Sequence, residues 1–166
     1  MVKTAFLAFG SNLGDRRETL ERARALLGRE NEIEVVRESL LYETEPVGGP
    51  AGQPFFLNAV AELRTTLSPH QLLSRCQTLE AFFGRERKIP WGARTLDLDI
   101  LSYGGEVIVD PDLTIPHPRL HERFFVLMPL AEIAPDWRHP LLNKTAAQLC
   151  GALSDLSGIR PFQEQW

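Results

Sequence analysis

The sequence predicts an α+β sandwich, two helices laid on one face of a mostly antiparallel sheet. Three observations carry this. Apolar residues alternate with period two in four separate stretches of strand length. Between them, residues 15–28 and 68–84 switch to helical spacing and carry start and stop signals. The resulting order, β-α-β-β-α-β, is the ferredoxin-like split βαβ pattern, extended by an added β-hairpin and C-terminal helices.

Taken in order, "TAFLAFGSN" (4–12) is the first strand, with its turn at Gly-Ser-Asn. One lysine and a short apolar run make "MVKTAFLAFGSN" a strand rather than a signal peptide. A helix follows: Asp15 caps it, Leu20, Ala23 and Leu27 share a face, and Gly28 ends it. "EIEVVRESLLYET" (32–44) is the second strand, irregular near Val35-Val36 where the alternation slips. The segment 45–54, "EPVGGPAGQP", is long for a hairpin, which suits a ligand-covering loop.

The third strand, 55–65, has Phe55, Leu57, Ala59, Ala61 and Leu63 on its core face, and Phe56, Asn58 and Val60 on the other. "SPHQ" opens the second helix with Ser68 as cap, Pro69 in the first turn and Gln71 completing a capping box. Leu72, Leu73, Cys76, Leu79 and Phe83 form its apolar stripe, and Gly84 stops it. The fourth strand, "RTLDLDIL" (94–101), runs towards a hairpin turn expected at Gly104-Gly105.

At 166 residues, 43% apolar and 24% charged, the chain suits one domain over 1–166. No run approaches the roughly 18 apolar residues of a membrane span. A net charge of −4 argues against nucleic acid as partner, and two cysteines suit a reducing cytoplasm.

Chemistry concentrates in the fourth strand. Asp97 and Asp99 fall on one face, α-carbons about 7 Å apart, and carboxylates held so close repel. A divalent cation removes that repulsion, and carboxylate oxygens are the hard ligands Mg²⁺ takes, usually together with substrate phosphates. The preceding stretch "RERKIPWGAR" (85–94) supplies Arg85, Arg87, Lys88 and Arg94 for such phosphates. Phosphoryl-type transfer follows from carboxylates and cations in this arrangement.

The usual nucleotide signatures, G-x-x-x-x-G-K-[ST] and G-x-G-x-x-G, are absent, and "GSNLG" (10–14), which lacks a lysine, reads as a tight turn. Phe56 and Asn58 on one strand face can stack on and hydrogen-bond a flat heterocycle. Gln77 and Glu80 share a helix face, which an exposed flank explains equally well. In "LTIPHPRLHERFF" (113–125), His117 stands between two prolines, with Arg119 and Arg123 nearby to meet phosphates. Zinc held by His117 and His121 is the rival, but H-E-x-x-H and paired cysteines are both missing.

"WGARTLDLDIL" closely resembles the signature of the 6-hydroxymethyl-7,8-dihydropterin pyrophosphokinase family, a folate-biosynthesis family. "AFGSNLGDR", "YETEPVGGP…QPFFLNAVAEL" and "LTIPHPRLHERFFVLMPLAEIAP" resemble its other blocks in the right order, covering most of 4–135. The resemblance implies a ferredoxin-like sandwich that moves the diphosphoryl group of ATP to the pterin hydroxymethyl, leaving AMP. It implies two Mg²⁺ ions on Asp97 and Asp99. Thr44, Val47, Phe56, Asn58 and Phe125 would form the pterin pocket, the ring lying between the two phenylalanines. Gln77, Glu80, Arg85, Arg87, Trp91, Arg94, Ile100, Thr114, His117 and Arg123 would line the nucleotide side, with Arg85 and Arg94 closing over the phosphates. A monomer acting on small molecules is expected, with neither nucleic acid nor membrane as partner.

Two rivals stand beside this reading. Ferredoxin-like sheets also bind RNA through exposed aromatics, although the strand motifs of such modules are missing here. Another metal-assisted phosphotransferase or phosphohydrolase could use the same carboxylates.

Overall fold

The alternation in 3–11 and 56–65 produces two long strands, which pair antiparallel from Lys3↔Thr65 to Ser11↔Leu57 and form the centre of the sheet. The computed structural model describes residues 1–46, 49, 51–84, 95–162 and 166. The elements are β1 (Lys3–Ser11), α1 (Arg16–Gly28), β2 (Ile33–Glu38), β3 (Tyr42–Thr44), β4 (Phe56–Thr65), α2 (Pro69–Phe82) and β5 (Asp97–Tyr103), then β6 (Ile108–Val109), β7 (Thr114–Ile115), a 3-10 turn (Leu120–Glu122), α3 (Phe124–Ile133), α4 (Ala146–Gly151) and β8 (Ile159–Pro161). The strands run β5-β1-β4-β3-β8, with β2 also on β4, and every pairing is antiparallel.

The helix signals act as expected. Asp15 accepts the Glu18 N–H at 3.0 Å. Ser68 and Gln71 form a reciprocal capping box at 3.2 and 2.9 Å. Leu20, Ala23 and Leu27 of α1 and Leu72 and Cys76 of α2 pack on Leu7, Phe9, Ala59 and Leu63 of the sheet. Each fully buried leucine contributes about 1.5–3 kcal/mol. Both cysteines are free thiols. No helix among the described residues is long and apolar enough to cross a membrane.

Five features differ from the sequence expectation. The second strand is two strands in line, β2 and β3, which share one edge of β4. The register shift falls between Val35 and Arg37, and Ser39 fills the break, its Oγ accepting the Val60 N–H while its own N–H donates to the Val60 carbonyl. Phe55 lies ahead of β4 and is 36% exposed, so it is not part of the core face. The turn at Gly104-Gly105 forms, with the Glu106 N–H donating to the Tyr103 carbonyl at 3.1 Å, but the added hairpin is β6-β7, turning at 110–113 where Asp110 and Leu113 exchange backbone bonds. β8 joins the sheet from the far end of the sequence through Tyr42↔Pro161 to Thr44↔Ile159.

The fifth difference concerns the second sheet face. Phe6, Val60 and Leu101 are buried there beneath Val126, Leu127, Leu130 and Leu149 of α3 and α4. That third layer covers the middle of the face. One step further along the strands, the apolar row gives way to polar residues.

Candidate active site

Strand register assembles the site. Asp97 on β5 pairs with Gly10 on β1, Gly10 with Asn58 on β4, and Asn58 with Tyr42 on β3. Directly opposed residues lie on the same face. Two positions away, Thr44 opposes Phe56, and Asp99 opposes Ala8 and through it Val60. The carboxylate pair and the Phe56–Asn58 pair, separate features in the sequence, therefore stand on one face with only Gly10 between Asn58 and Asp97.

Gly10 is the functional residue that sequence reasoning passed over as part of a turn. It lies in the last third of β1, where glycine is a poor strand former. A Cβ placed there would stand 3.0 Å from Asn58 Oδ1, 3.7 Å from Phe56 Cδ1 and 3.8 Å from Asp97 Cβ. Space, not backbone conformation, is what glycine provides at this position. A glycine within an otherwise regular strand pattern was the available signal.

Around this floor the polar groups are fixed. Asn58 Nδ2 donates to Thr44 Oγ1 at 2.6 Å, and both residues are buried. That bond sets the amide orientation and turns Oδ1 towards Gly10. Asn58 can thus offer an oriented amide to a ring resting on Phe56.

On the carboxylate side, His117 donates its backbone N–H to the Leu101 carbonyl at 2.9 Å, holding the 113–125 segment to the outer edge of β5. Its Nδ1 accepts the Arg119 N–H at 3.2 Å. Burial pushes the imidazole pKa down to about 4; Arg123 and Arg119 push the same way, and Asp97 opposes them. His117 is therefore neutral at pH 7. Burial also lowers the Arg123 pKa against the opposing pull of Asp99 and Asp97. Its guanidinium stands 5.5 Å from the centre of the Phe125 ring, a cation–π contact between the two residues.

Glu80 differs from an exposed flank. It is 5% exposed, and its Oε2 accepts the Leu98 N–H at 3.0 Å, between the two aspartates on the unpaired side of β5. Gln77, three residues earlier, is exposed. Ile100 is buried on β5, and half-buried Thr114 opposes Val109 in the small β6-β7 sheet. Val47, Arg85, Arg87, Trp91 and Arg94 lie outside the described residues. His121 turns its ring towards His139, 6.4 Å between centroids, and among the described residues no group of three or more His, Cys, Asp or Glu could hold a metal ion.

One sheet face thus carries an aromatic and amide slot next to a carboxylate pair bordered by an arginine and a neutral histidine. This arrangement can hold a flat heterocycle close to a polyanion bound through cations.

The profile of the 7,8-dihydro-6-hydroxymethylpterin-pyrophosphokinase family matches residues 6–135. A 2-amino-4-hydroxy-6-hydroxymethyldihydropteridine pyrophosphokinase of Bacillus subtilis (strain 168) is 41% identical over 165 residues, covering 99% of this chain and 93% of that protein. Another, from Pseudomonas aeruginosa, is 45% identical over 140 residues, covering 84% and 86%. Among solved structures, wild-type Plasmodium falciparum HPPK-DHPS with pterin and p-hydroxybenzoate matches the fold at TM-score 0.73 and 16% identity, over 91% of this chain and 43% of that longer one. With the family profile matching residues 6–135 and a relative aligned along 93% of its own length, the chain belongs to the 7,8-dihydro-6-hydroxymethylpterin-pyrophosphokinase family.

Proposed function

We propose that this chain transfers the diphosphoryl group of ATP to the hydroxymethyl oxygen of 6-hydroxymethyl-7,8-dihydropterin in folate biosynthesis, giving AMP and the pterin diphosphate. The observation that carries the reading is the row Asp97–Gly10–Asn58, which joins a heterocycle slot to a carboxylate pair across adjacent strands. Family membership supports the same conclusion.

Two Mg²⁺ ions fit the donor set. Asp97 and Asp99 offer hard oxygens on one face, and their pairing partners Gly10 and Ala8 present almost no bulk beside them. Such ions take few protein ligands and complete their shells with water and phosphate, in keeping with a site of two carboxylates. Ions held by Asp97 and Asp99 would neutralise phosphate charge and lower the pKa of the attacking hydroxyl.

The chain's own residues orient the reaction. Phe56 and Phe125 hold the pterin ring, and Asn58, oriented by Thr44, reads its polar edge. Because His117 Nδ1 accepts a hydrogen bond, the neutral ring carries its proton on Nε2 and donates to a phosphate oxygen. Arg123 stabilises charge on the same oxygens. Gln77, Glu80 and Thr114 lie on the nucleotide side, and the strand alternation that turns the Leu98 N–H outward turns the main chain of Ile100 to the same open edge. Arg85, Arg87, Trp91 and Arg94, outside the described residues, are assigned to the phosphates by sequence and family resemblance alone.

The ferredoxin-like reading of the fold is supported by the β-α-β-β-α-β order and by β5-β1-β4-β2/β3 as the core strand arrangement. We read residues 1–166 as one pyrophosphokinase domain that works in the cytoplasm on small molecules. Incubation with ATP, Mg²⁺ and the hydroxymethyl pterin tests the function. AMP should appear only when all three are present; AMP release without pterin would point to a phosphohydrolase instead.

A further inference from the structure

The pocket residues Thr44 and Phe56 are each preceded by a residue held by the same side chain. Arg16, in the first turn of α1, donates from Nη1 to the Phe55 carbonyl at 2.8 Å and from Nη2 to Glu43 Oε2 at 2.9 Å. It does so from the opposite side of the sheet, because Glu43 alternates with Tyr42 and Thr44, whose partners Asn58 and Phe56 belong to the site face. One planar guanidinium therefore spans both ends of the 45–54 segment.

Neighbouring contacts strengthen the brace. Arg160 of β8 donates from Nε and Nη2 to Glu43 Oε1, its guanidinium 5.6 Å from the Phe55 ring centre. The Glu43 carboxyl is accordingly held below its ordinary pKa, first by the hydrogen bond from Arg160 and also by Arg16. Asn12, at the end of β1, is 1% exposed and donates to Gln53 Oε1 at 3.2 Å and to the Pro54 carbonyl at 3.1 Å. Ion pairs on open surface contribute little. Here the Arg16 and Glu43 side chains are only 24% and 19% exposed, and one arm of the fork binds main chain. Lysine, a single point charge, cannot reproduce a two-armed bridge.

We propose that Arg16 is a positioning residue for the pterin pocket: by bridging Glu43 to the Phe55 carbonyl it sets the spacing of Thr44 and Phe56, and through Thr44 the orientation of Asn58. This inference rests on the functional reading above. It deepens that reading by assigning part of the pterin affinity to a residue on the far face of the sheet.

The test compares wild-type protein with Arg16→Gln and Arg16→Lys. Titrations use hydroxymethyl pterin with a non-hydrolysable ATP analogue and Mg²⁺, and steady-state kinetics accompany them. Arg16→Gln should raise the pterin Kd and KM about tenfold, while the analogue Kd and kcat at saturation stay within about twofold. Arg16→Lys should keep the thermal midpoint close to wild type yet leave the pterin Kd raised. It also carries the same comparison if Arg16→Gln does not fold. An unchanged pterin Kd in Arg16→Gln, equal weakening of both ligands, or full recovery in Arg16→Lys would overturn the proposal. Wild-type protein that binds no pterin would refute the functional reading instead. Amide exchange at Thr44 and Phe56 would then decide the brace by itself, faster exchange in the variants supporting it and unchanged exchange overturning it.

Discussion

Gly10 faces Asn58 across the β1-β4 pairing so closely that a methyl group at position 10 would stand 3.0 Å from the Asn58 Oδ1. Gly10→Ala should therefore raise the pterin Kd at least tenfold while leaving the ATP-analogue Kd within about twofold. The thermal midpoint should fall, since the buried Asn58 amide that Thr44 holds must give way, which outweighs the roughly 0.5–1 kcal/mol of backbone entropy that replacing a strand glycine relieves. Paired calorimetric titrations and a melting curve check all three outcomes.

Asp97→Asn and Asp99→Asn should each lower turnover by two orders of magnitude or more, about 3 kcal/mol of barrier. Both variants should remain folded, because each removes one of two like charges on a strand face. Rates at saturating Mg²⁺ decide the matter, and near-normal activity in either variant would refute the metal-ligand assignment.

Thr44→Val preserves shape while removing the acceptor of the 2.6 Å bond from Asn58. The amide then loses its fixed orientation, and pterin affinity should fall by about 1–2 kcal/mol. Asn58→Ala should cost about 1–3 kcal/mol in the same titration. ATP-analogue binding should change little in both, because the bond lies on the heterocycle side of Gly10.

His117 gives the fold a pH dependence of definite sign. Its folded pKa of about 4 lies below the ordinary value near 6.5. Above pH 6.5 the ring is neutral in both folded and unfolded chains, and stability is at its full value. As pH falls from 6.5 towards 4, the unfolded chain takes up a proton that the folded chain does not, so stability decreases by up to about 3 kcal/mol. His139, also lowered by burial, acts in the same direction, so the His117 share is read by comparison with His117→Gln. Urea unfolding at pH 7.5 and pH 5 should give a smaller difference in that variant. Glu43, with its lowered pKa, adds a separate loss only below the usual carboxylate range.

Much of this was legible in the sequence because local chemistry decides it. The Asp15 cap, the Ser68–Gln71 capping box and the Leu20–Ala23–Leu27 stripe depend on neighbours a few residues away. The Val35 irregularity, which falls inside β2, was visible too; the division into β2 and β3 was not, since it depends on how Ser39 bonds to Val60 across the sheet. Strand β8 escaped notice because Ile159–Pro161 has no pattern of its own and is defined by pairing with β3. Asp97, Asp99, Phe56 and Asn58 could be singled out by residue type and spacing. Their convergence could not, because it depends on the pairing partners of Gly10. Glu80 looked like half of an exposed pair until packing of α2 against the unpaired edge of β5 buried it on the Leu98 N–H.

The central claim concerns which phosphoryl groups move, and ³¹P NMR of a reaction with ATP, Mg²⁺ and 6-hydroxymethyl-7,8-dihydropterin tests it directly. AMP and a pterin carrying two linked phosphorus atoms should form in equal amounts and be absent when pterin is omitted. ADP with a pterin monophosphate, or AMP with free pyrophosphate, would contradict it.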